Sequence, residues 1–332
     1  MYNFCTLFDS NYLTRGLALH ESMMKECRSF HLYIFAFDDK CLNVLKKLSA
    51  SGELEHTTLI SLKEFEDEKL LEVKPTRSVA EYCWTSTSST ILYVLNNFNV
   101  ESCTYLDADL YFYSSPEIIF REMGKKSILL TEHRYSPQYN KEIKSGKYCV
   151  QFVTFRNNSE GRNALEWWRE RCLEWCYARY EDGKFGDQLY LDDWTERFPG
   201  VHVLENRGGG LAAWNVQQYL FAENNREITA DYPDGDKVFH PVFYHFHYLR
   251  FLSDGRVELG RRYLSRSVLE IFYIPYIKRL LYFTSKIEII DGTFDPNGTK
   301  EMERNLKSMI LFIYRKLKKT YNIYNIKQLL GN

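Results

Sequence analysis

The first 62 residues of the chain alternate between short apolar segments and segments in which apolar residues have helical spacing. Tyr2–Phe8, His31–Phe37 and Thr57–Leu62 are apolar and rich in β-branched and aromatic residues, which is typical of strands. Helical spacing is found in Leu13–Cys27 and again in the segment that contains Leu42, Leu45 and Leu48. A strand–helix–strand–helix–strand order predicts parallel strands joined by crossover helices. Ligands of such sheets bind at the carboxyl ends of the strands, where Asp9 and Asp38 are expected.

The pattern continues with more strands and helices through most of the chain. Ser78–Phe98 is predicted to be a long helix, with a buried face that consists of Ala80, Cys83, Trp84, Ile91, Leu92 and Leu95. A second helix, Asn163–Arg179, carries Trp167, Trp168 and Trp175 at helical spacing, which indicates core packing. Further strands are predicted at Cys103–Leu106, Ile128–Thr131, Val150–Phe155, Val201–Leu204 and Val242–Tyr248, with a flexible loop at Gly208–Gly210.

Near residue 260 the sequence becomes basic, aromatic and helical in pattern. This change divides the chain into an α/β domain, 1–260, and a basic helical C-terminal extension, 261–332. Between Tyr263 and Asn332 there are 12 Lys and Arg but 6 Asp and Glu, although the whole chain has a net charge of −1. This net charge argues against a nucleic-acid partner. One apolar stripe at helical spacing is formed by Met302, Leu306, Met309, Ile310, Ile313 and Leu317. A basic amphipathic helix over residues 300–320 predicts either contact with a membrane surface or packing on the body of the protein.

Cysteine usage and the N-terminus favour a cytoplasmic protein, peripheral at most on the inner face of the plasma membrane. The eight Cys contain no CxxC pair, which indicates reduced, buried thiols. The first strand is predicted to begin at residue 2, so we expect no cleaved leader. Apolar runs are too short for a membrane-spanning helix. The sequons at Asn157 and Asn297 are therefore interpreted as chance matches.

The strongest chemical motif is Asp107-Ala108-Asp109, which directly follows an apolar strand in the middle of the chain. Two carboxylates at the carboxyl end of one strand can share a hard divalent cation such as Mg²⁺ or Mn²⁺. That ion would leave positions open for diphosphate oxygens. The alternative is a polar loop that caps the strand. A second Asp-x-Asp triplet, Asp234-Gly235-Asp236, follows Pro233 and is interpreted as a solvated turn.

The strand followed by Asp-x-Asp resembles the motif of GT-A-fold glycosyltransferases, and the order of the parts resembles the retaining, galactosyltransferase-like family 8 group and its bacterial relatives. Asp187-Gln188 resembles the Asp-Gln element of that family, which lies beside the donor sugar. Tyr244-His245-Phe246-His247 resembles the late segment that supplies a third metal ligand. The family's Gly and Lys-Pro-Trp after this segment are missing here. Together these parts span residues 2–248.

The resemblance implies a role for each matching residue. It places the metal on Asp107, Asp109 and His245, with His247 as second choice because two such residues on one strand point the same way. It makes Asp187 and Gln188 the catalytic residues beside the sugar. The donor nucleotide would be bound by Thr6, Asp9, Asp107, Ala108 and Asp109. From their positions alone, Tyr12 after the first strand is a candidate to stack on the base, and Arg77 ahead of the long helix is either a ligand of the donor or a surface residue. Trp214 and Asn215 are candidates for the acceptor side.

We therefore expect a metal-dependent hexosyltransferase that moves a sugar from a nucleotide diphosphate donor, with UDP favoured, to a glycan or lipid-linked glycan of a bacterial surface. Retention follows from the resemblance, since spacing alone does not decide the stereochemistry. A sugar-nucleotide nucleotidyltransferase and an inactive nucleotide-sugar-binding protein of the same fold are the alternatives. Asp9–Arg15 lacks the Gly-rich loop usual in the former. An aspartyl phosphatase carries its Asp-x-Asp pair after the first strand instead. Phosphate-loop, GxSxG and HExxH motifs are absent from the sequence.

Overall fold

The computed structural model of the chain describes residues 1–225, 227–232, 238–302 and 306–331, with the backbone alone for residues 306–311. Its strands are β1 Tyr2–Phe8, β2 Phe30–Ala36, β3 Thr57–Ser61, β4 Ser102–Leu106, β5 Leu110–Phe112, β6 Ile128–Glu132, β7 Tyr148–Arg156, β8 Val201–Val203, β9 Leu211–Ala212, β10 Leu220–Asn224, β11 Glu227–Asp231, β12 Val238–Phe239, β13 Phe243–His245, β14 Arg250–Phe251, β15 Arg256–Glu258 and β16 Ile323–Asn325. Its α-helices are α1 Leu13–Glu26, α2 Asp39–Ala50, α3 Leu62–Phe65, α4 Glu68–Val73, α5 Val79–Asn97, α6 Glu117–Met123, α7 Glu142–Ser145, α8 Ser159–Glu174, α9 Trp194–Arg197, α10 Arg266–Val268, α11 Ile274–Ile290, α12 Leu306–Leu317 and α13 Ile326–Leu330.

The central sheet has seven strands in the order β3-β2-β1-β4-β7-β6-β8. β1 pairs in parallel with β2 and β4, β2 with β3, and β6 with β8. β7 runs antiparallel to both of its neighbours, β4 and β6. The sheet is therefore mixed and mostly parallel, which confirms the predicted α/β class. β1 and β4 lie next to each other, so their carboxyl ends, and the residues that follow them, open on the same edge.

Helices cover both faces of this sheet. Along β1 the side chains alternate, so that Phe4 packs in the layer of α1, α2 and α11 while Cys5 packs in the layer of α5 and α8. Trp168 of α8 is fully buried in the second layer, as its helical spacing predicts. The cysteines in the described part of the chain are free thiols, and all but Cys83 are buried.

Helix α5 has a different buried surface from the predicted one. Residues 85–91 are buried without interruption, whereas Ala80 is exposed. The helix lies between the sheet and α8, so it is enclosed on most of its circumference. The hydroxyls of its three Thr bond to the helix backbone, and Oγ1 of Thr85, for example, donates to the carbonyl of Glu81 at 2.8 Å. The hydroxyls of Ser86 and Ser88 are buried without a partner among the described residues. Apolar periodicity therefore does not reveal the full buried surface of a helix that is rich in Ser and Thr.

Helix α8 is displaced toward the N-terminus relative to the predicted Asn163–Arg179. It begins at Ser159 because the side chain of Asn158 accepts a hydrogen bond from the backbone N–H of Gly161. It ends at Glu174, and the chain then forms a loop in which Asp182 has a φ of 48° and Gly183 a φ of 71°. This loop leads directly to the predicted Asp-Gln element.

A small sheet of β5, β13 and β9 stands beside the carboxyl end of β4. β13 pairs antiparallel with β5 and parallel with β9, and it covers Phe243–His245 instead of the predicted Val242–Tyr248. The strand ends at His245, and the chain then turns at residues 247–248, where Tyr248 has a φ of 73° that an extended backbone does not adopt. His247 therefore does not lie on the strand. The Gly208–Gly210 segment before β9 is buried: a Cβ on Gly208 would stand 2.0 Å from the carbonyl oxygen of His240, so this loop is closely packed.

The C-terminal extension contains a strand as well as helices, and it contacts the α/β body. α11 packs against α1, and β16 pairs antiparallel with β15, so residues 323–325 complete a sheet that begins at residue 250. Of the predicted apolar stripe, Ile313 and Leu317 are exposed. The side chains at positions 306–311, with Arg304, lie outside the described residues, as does Asp234-Gly235-Asp236. In the described part of the chain, the helices fall short of the length and apolar content that crossing a bilayer demands.

In both sequons the Asn side chain forms hydrogen bonds within the protein. Asn297 is buried, accepts from Thr14 Oγ1 at 2.6 Å and donates to Thr284 Oγ1 at 2.7 Å. Asn157 donates to the carbonyl of Val100 at 3.0 Å. Both side chains therefore serve the fold.

Candidate functional site

The two aspartates of the Asp-x-Asp motif lie in the turn that joins β4 to β5. The backbone N–H of Asp107 donates to the carbonyl of Gln151 on β7 at 3.0 Å, and the N–H of Leu110 returns to the carbonyl of Asp107 at 3.2 Å. The turn is thus fixed to the sheet on both sides. Asp109 is 7% exposed and its side chain faces the protein interior, whereas the side chain of Asp107 is 30% exposed.

His245 reaches these carboxylates because β13 pairs with β5. The backbone N–H of Phe246 donates to the carbonyl of Asp109 at 3.0 Å, which holds the end of β13 against the turn. Nε2 of His245 then lies 3.0 Å from Oδ1 of Asp109 and 3.6 Å from Oδ2 of Asp107. One ligand atom of each residue lies within 4.8 Å of the others, and the three form a group that can hold a metal ion.

Gln151 orients the imidazole of His245. Its Oε1 is 2.8 Å from Nδ1 of the imidazole, so the N–H at Nδ1 donates to the amide and Nε2 faces Asp107 and Asp109. When protonated, Nε2 donates to Asp109, and when deprotonated it would offer its lone pair to a metal ion. A neutral imidazole nitrogen and two carboxylates, with an outer hydrogen bond that fixes the tautomer, form a donor set that fits Mn²⁺ or Mg²⁺. The polar Gln151 within the buried strand Tyr148–Arg156 was the sequence signal for this role, and the sequence analysis missed it.

The charges of Asp107, Asp109 and His245, which together form the metal corner of the site, strongly affect one another. Burial opposes protonation of His245, but the carboxylates of Asp109 and Asp107 outweigh it and raise the pKa of His245 well above its usual value. Burial raises the pKa of Asp107. For Asp109, burial is outweighed by His245, which lowers the pKa of this carboxyl. The corner thus concentrates negative charge, as a cation site requires.

Asp187 and Gln188 face the same cavity, which has a volume of 340 Å³ and is also lined by Asp107, His245 and His247. The carbonyl of Asp187 accepts from Trp168 Nε1 at 2.8 Å, which anchors it to α8. Burial, and then the nearby Asp107, raise the pKa of the Asp187 carboxyl to about 7. The amide of Gln188 donates to the carbonyl of Ser145. The structure therefore brings the predicted catalytic pair to one cavity with Asp107 and His245, and Asp109 lies beside His245 outside the cavity lining.

His247 and Trp214 line this cavity together with His245. The indole of Trp214 contacts both imidazoles edge-on, at centroid distances of 5.3 Å to His245 and 5.7 Å to His247. Burial, and then His245, lower the pKa of His247 to about 4. Asn215, by contrast, is 1% exposed, and its amide bonds to the carbonyls of His133 and Gly210, so it supports the loop beneath the cavity.

The residues after β1 lie at the same edge of the sheet. Asp9 caps the turn that follows, since its Oδ1 accepts from the backbone N–H of Asn11 at 3.0 Å. Tyr12 is 42% exposed and lies over the guanidinium of Arg15, at 4.5 Å. Thr6 is fully buried, and its Oγ1 has no hydrogen-bond partner among the described residues.

Arg77 is not brought to this cavity. Its Nη2 donates to the carbonyl of Leu173 at 3.2 Å, and its guanidinium lies 4.0 Å from the ring centre of Tyr177. These contacts direct the side chain toward the end of α8. The position of Arg77 ahead of α5 predicted a contact with the donor, but the direction of the side chain could not be derived from the sequence.

Arg15 is a buried cation that the sequence analysis did not single out. It is 3% exposed, and its guanidinium donates to three carbonyls from separate segments: Asn11 at 3.3 Å, Leu249 at 3.0 Å and Asn297 at 3.2 Å. Leu249 lies two residues beyond His247. Arg15 thereby ties the loop after β13 to α1 and to the C-terminal extension.

Comparisons with known proteins agree with this architecture. The uncharacterized protein YfnF of Bacillus subtilis (strain 168) is 31% identical over 306 residues, which cover 90% of this chain and 98% of YfnF. The uncharacterized protein YfnD of the same organism is 29% identical over 293 residues, or 86% of this chain and 91% of YfnD. No protein-family model matches the chain.

Among solved structures, the galactosyltransferase LgtC in complex with donor and acceptor sugar analogs matches with a TM-score of 0.51. The match covers 84% of this chain and 95% of LgtC at 11% sequence identity, so it concerns the fold. The resemblance to GT-A glycosyltransferases predicted from the motifs is thereby confirmed at the level of fold. By the sequence match, the chain belongs to the protein family of YfnF.

Proposed function

We propose that this protein is a metal-dependent glycosyltransferase that moves a hexosyl group from a nucleotide diphosphate donor, a UDP-sugar in the first place, to a hydroxyl acceptor. The proposal is carried by the group of Asp107, Asp109 and His245, because two of its members, Asp107 and His245, line one cavity with Asp187 and Gln188. A nucleotidyltransferase would need a phosphate-binding loop after β1, where this chain has the Asp9 cap and Tyr12.

Asp107, Asp109 and His245 would hold Mn²⁺ or Mg²⁺, and a bound divalent ion supplies Lewis-acid neutralisation of the charge on a departing diphosphate. The protein would keep these ligands in place through Gln151 and the backbone of the β4–β5 turn. Thr6, Asp9, Tyr12 and Ala108 are proposed to contact the nucleoside and the diphosphate. Arg77 could join them only if its side chain left the ring of Tyr177.

Asp187 and Gln188 would position the donor sugar. Asp187 can exchange hydrogen bonds with sugar hydroxyls in both directions, since a pKa of about 7 makes both its protonation states accessible near neutral pH. In the proposed retaining reaction the acceptor oxygen bonds to the anomeric carbon on the face from which the diphosphate departs. The anomeric carbon–phosphate oxygen bond breaks, and the acceptor proton passes to the departing phosphate. Gln188 would lie beneath the sugar ring and stabilise its developing positive charge.

The test combines binding and product analysis. We expect UDP to bind with Mn²⁺ present and to bind weakly after chelation, as measured by calorimetry. A panel of UDP- and GDP-sugars should then release nucleotide, and NMR of the product should show a retained anomeric configuration. Metal-dependent nucleotide binding without donor cleavage would instead identify an inactive binding protein, and formation of a new sugar nucleotide would identify a nucleotidyltransferase. A product with inverted configuration would reject the retaining mechanism.

We propose that the acceptor is a glycan or lipid-linked glycan and that residues 300–320 contact the inner face of the plasma membrane, with 261–332 as the attachment region. Phe312, Ile313 and Leu317 are 39%, 53% and 79% exposed, and Lys316, Lys318 and Lys319 lie beside them. The protein should float with liposomes that contain anionic lipid. Changing Lys316, Lys318 and Lys319 to Glu should abolish flotation, whereas flotation of this variant equal to wild type would contradict the proposal.

A further inference from the structure

Two cations line the cavity together with the metal corner, although the sequence motifs do not include them. Lys141 precedes α7, and Arg262 lies in the loop between β15 and α10. Lys141 is exposed at the rim and Arg262 is half-buried. Burial, and then repulsion by Arg262, lower the pKa of Lys141, and burial lowers the pKa of Arg262. Both side chains line the same 340 Å³ cavity, where their positive charges repel each other.

Neither cation forms an ion pair or a side-chain hydrogen bond with another described residue. Most other arginines that are buried or half-buried here have acceptors: Arg315, for example, bonds to Glu258 at 3.0 Å and Arg279 to Glu21 at 2.6 Å. The guanidinium of Arg262 instead lies 5.6 Å from the ring centre of Tyr139. Two like charges without a carboxylate between them raise the free energy of the folded protein, and an anionic ligand would compensate for this.

Hydrogen bonds to its backbone hold the loop that carries Arg262, although the Arg262 side chain forms no hydrogen bond with a described residue. The amide of Asn322 donates to the carbonyl of Arg262 at 2.6 Å, and the amide of Gln217 donates to the carbonyl of Tyr263 at 2.6 Å. The backbone N–H of Tyr263 donates to the hydroxyl of Tyr139 at 2.7 Å. Tyr139 lies two residues before Lys141, so this bond joins the two segments that carry the cations. The site is preorganised, which lowers the entropic cost of binding a ligand.

The surroundings of the pair favour a sugar ligand on the acceptor side. The phenol rings of Tyr135 and Tyr139 lie beside Arg262, and aromatic faces next to polar groups suit sugar rings, which have apolar faces and polar edges. A donor diphosphate would find its counter-charge in an ion held by Asp107, Asp109 and His245. Lys141, by contrast, is exposed at the rim, where an acceptor chain would enter.

We infer that Lys141 and Arg262 form an anion-binding subsite and that the acceptor carries a phosphate or carboxylate group beside the hydroxyl that receives the sugar. That the ligand is the acceptor rests on the proposed function, whereas the anion-binding subsite itself does not. A planar guanidinium binds either oxyanion through paired hydrogen bonds, and the ammonium of Lys141 adds a second positive charge.

The subsite can be tested without donor and without metal. Inorganic phosphate and acetate serve as probes, titrated into chelator-treated protein and followed by NMR. Phosphate should bind, and Arg262→Gln or Lys141→Gln should each weaken binding by about tenfold, because each change removes a charge-assisted contact. Lys46→Gln is the matched control: Lys46 is exposed on α2, outside the cavity lining, and its loss should leave binding unchanged.

The outcomes separate the two sources of the anion and the two proposals. Phosphate bound more tightly than acetate indicates a phosphate-bearing acceptor, and acetate bound as well as phosphate indicates a uronic acid. Equal binding to wild type and to both variants, or no binding to wild type, would overturn the inference. So would a tenfold loss of Mn²⁺-dependent UDP affinity in Arg262→Gln, since the cation would then serve the donor. Failure of UDP to bind wild-type protein would contradict the proposed function and leave the phosphate result standing.

Discussion

The two ends of the cavity are built in different ways. At the acidic end, Asp107, Asp109 and His245 lie on or beside core strands, and the register of β4, β5 and β13 sets their distances. At the basic end, Lys141 and Arg262 lie in loops that are held by side-chain hydrogen bonds. Strand register cannot change without moving the whole sheet, whereas a loop bond changes with one substitution. The architecture therefore combines an acidic centre that is fixed by strand pairing with a basic rim that is held by hydrogen bonds between loops.

The largest effect is expected from a change at the acidic end. Asp109→Asn removes a charge from the metal ligands and should lower transfer by more than about 100-fold, because loss of even an outer hydrogen-bond partner of a metal ligand costs about 10- to 100-fold. Nucleotide release at a fixed Mn²⁺ concentration measures the loss. Asp193→Asn, in an exposed ion pair with Arg197 on α9, is the control and should stay fully active. If Asp109→Asn transferred sugar at the wild-type rate, the two ends of the cavity would not differ in their importance for the reaction as expected here.

Arg15 should show that the acidic end depends on distant segments. Arg15→Met removes three hydrogen bonds from a buried cation and should lower the free energy of unfolding by about 3 kcal/mol. Mn²⁺ affinity should fall as well, because the loop after His247 loses its support, while phosphate binding at Arg262 persists. Urea denaturation measures the first effect, with Arg28→Met at an exposed position of the chain as control. A loss equal to that of Arg28→Met would contradict this role.

Gln151 tests whether the orientation of His245 depends on a hydrogen bond as well as on strand pairing. Gln151→Leu removes the acceptor of the His245 N–H and should weaken Mn²⁺ binding by about 10- to 100-fold, while the fold persists. Thr154→Val on the same strand is the matched control, since its hydroxyl bonds to Thr104 at 2.8 Å and not to the site. Calorimetry of Mn²⁺ with UDP distinguishes the two variants. Equal affinities in both would mean that strand pairing alone orients His245.

The smallest effect concerns pH and a residue between the two ends. Burial lowers the pKa of His133 to about 3, whereas an unfolded His titrates near about 6.5. Between these values the unfolded chain binds a proton that the folded protein does not, so stability is complete above about pH 6.5 and falls as the pH drops. From about pH 7 to 5.5 His133 should cost about 1 kcal/mol. His133→Gln should flatten the pH dependence of urea denaturation by that amount. A variant with the wild-type slope would contradict it.

The centre of the molecule could be predicted from sequence because its signals are local. β1 was predicted at Tyr2–Phe8 and is found there, and the strand before Asp107 was predicted within one residue. Apolar runs that end in polar residues report burial and termination at the same time. Asp187 and His245 were reached through the resemblance, and the structure places both in the cavity with Asp107.

The rim could not be predicted because its signals are not local. Nothing in the sequence around Arg262 shows that Asn322 holds its carbonyl, 60 residues further along the chain. For His247, the end of β13 depends on the backbone conformation of Tyr248, which strand propensity does not show. The direction of the Arg77 side chain follows from its packing on Tyr177, a contact between segments that are far apart in sequence.

The pairing of β16 with β15 has a consequence for synthesis on the ribosome. Every residue of the acidic end has been translated by residue 245, so the central sheet can form while the chain is still growing. The loop of Arg262 obtains its bond from Asn322 only after residue 322 has left the exit tunnel. A nascent chain can thus pair the strands that carry Asp107, Asp109 and His245 before Asn322 is available to hold the loop of Arg262.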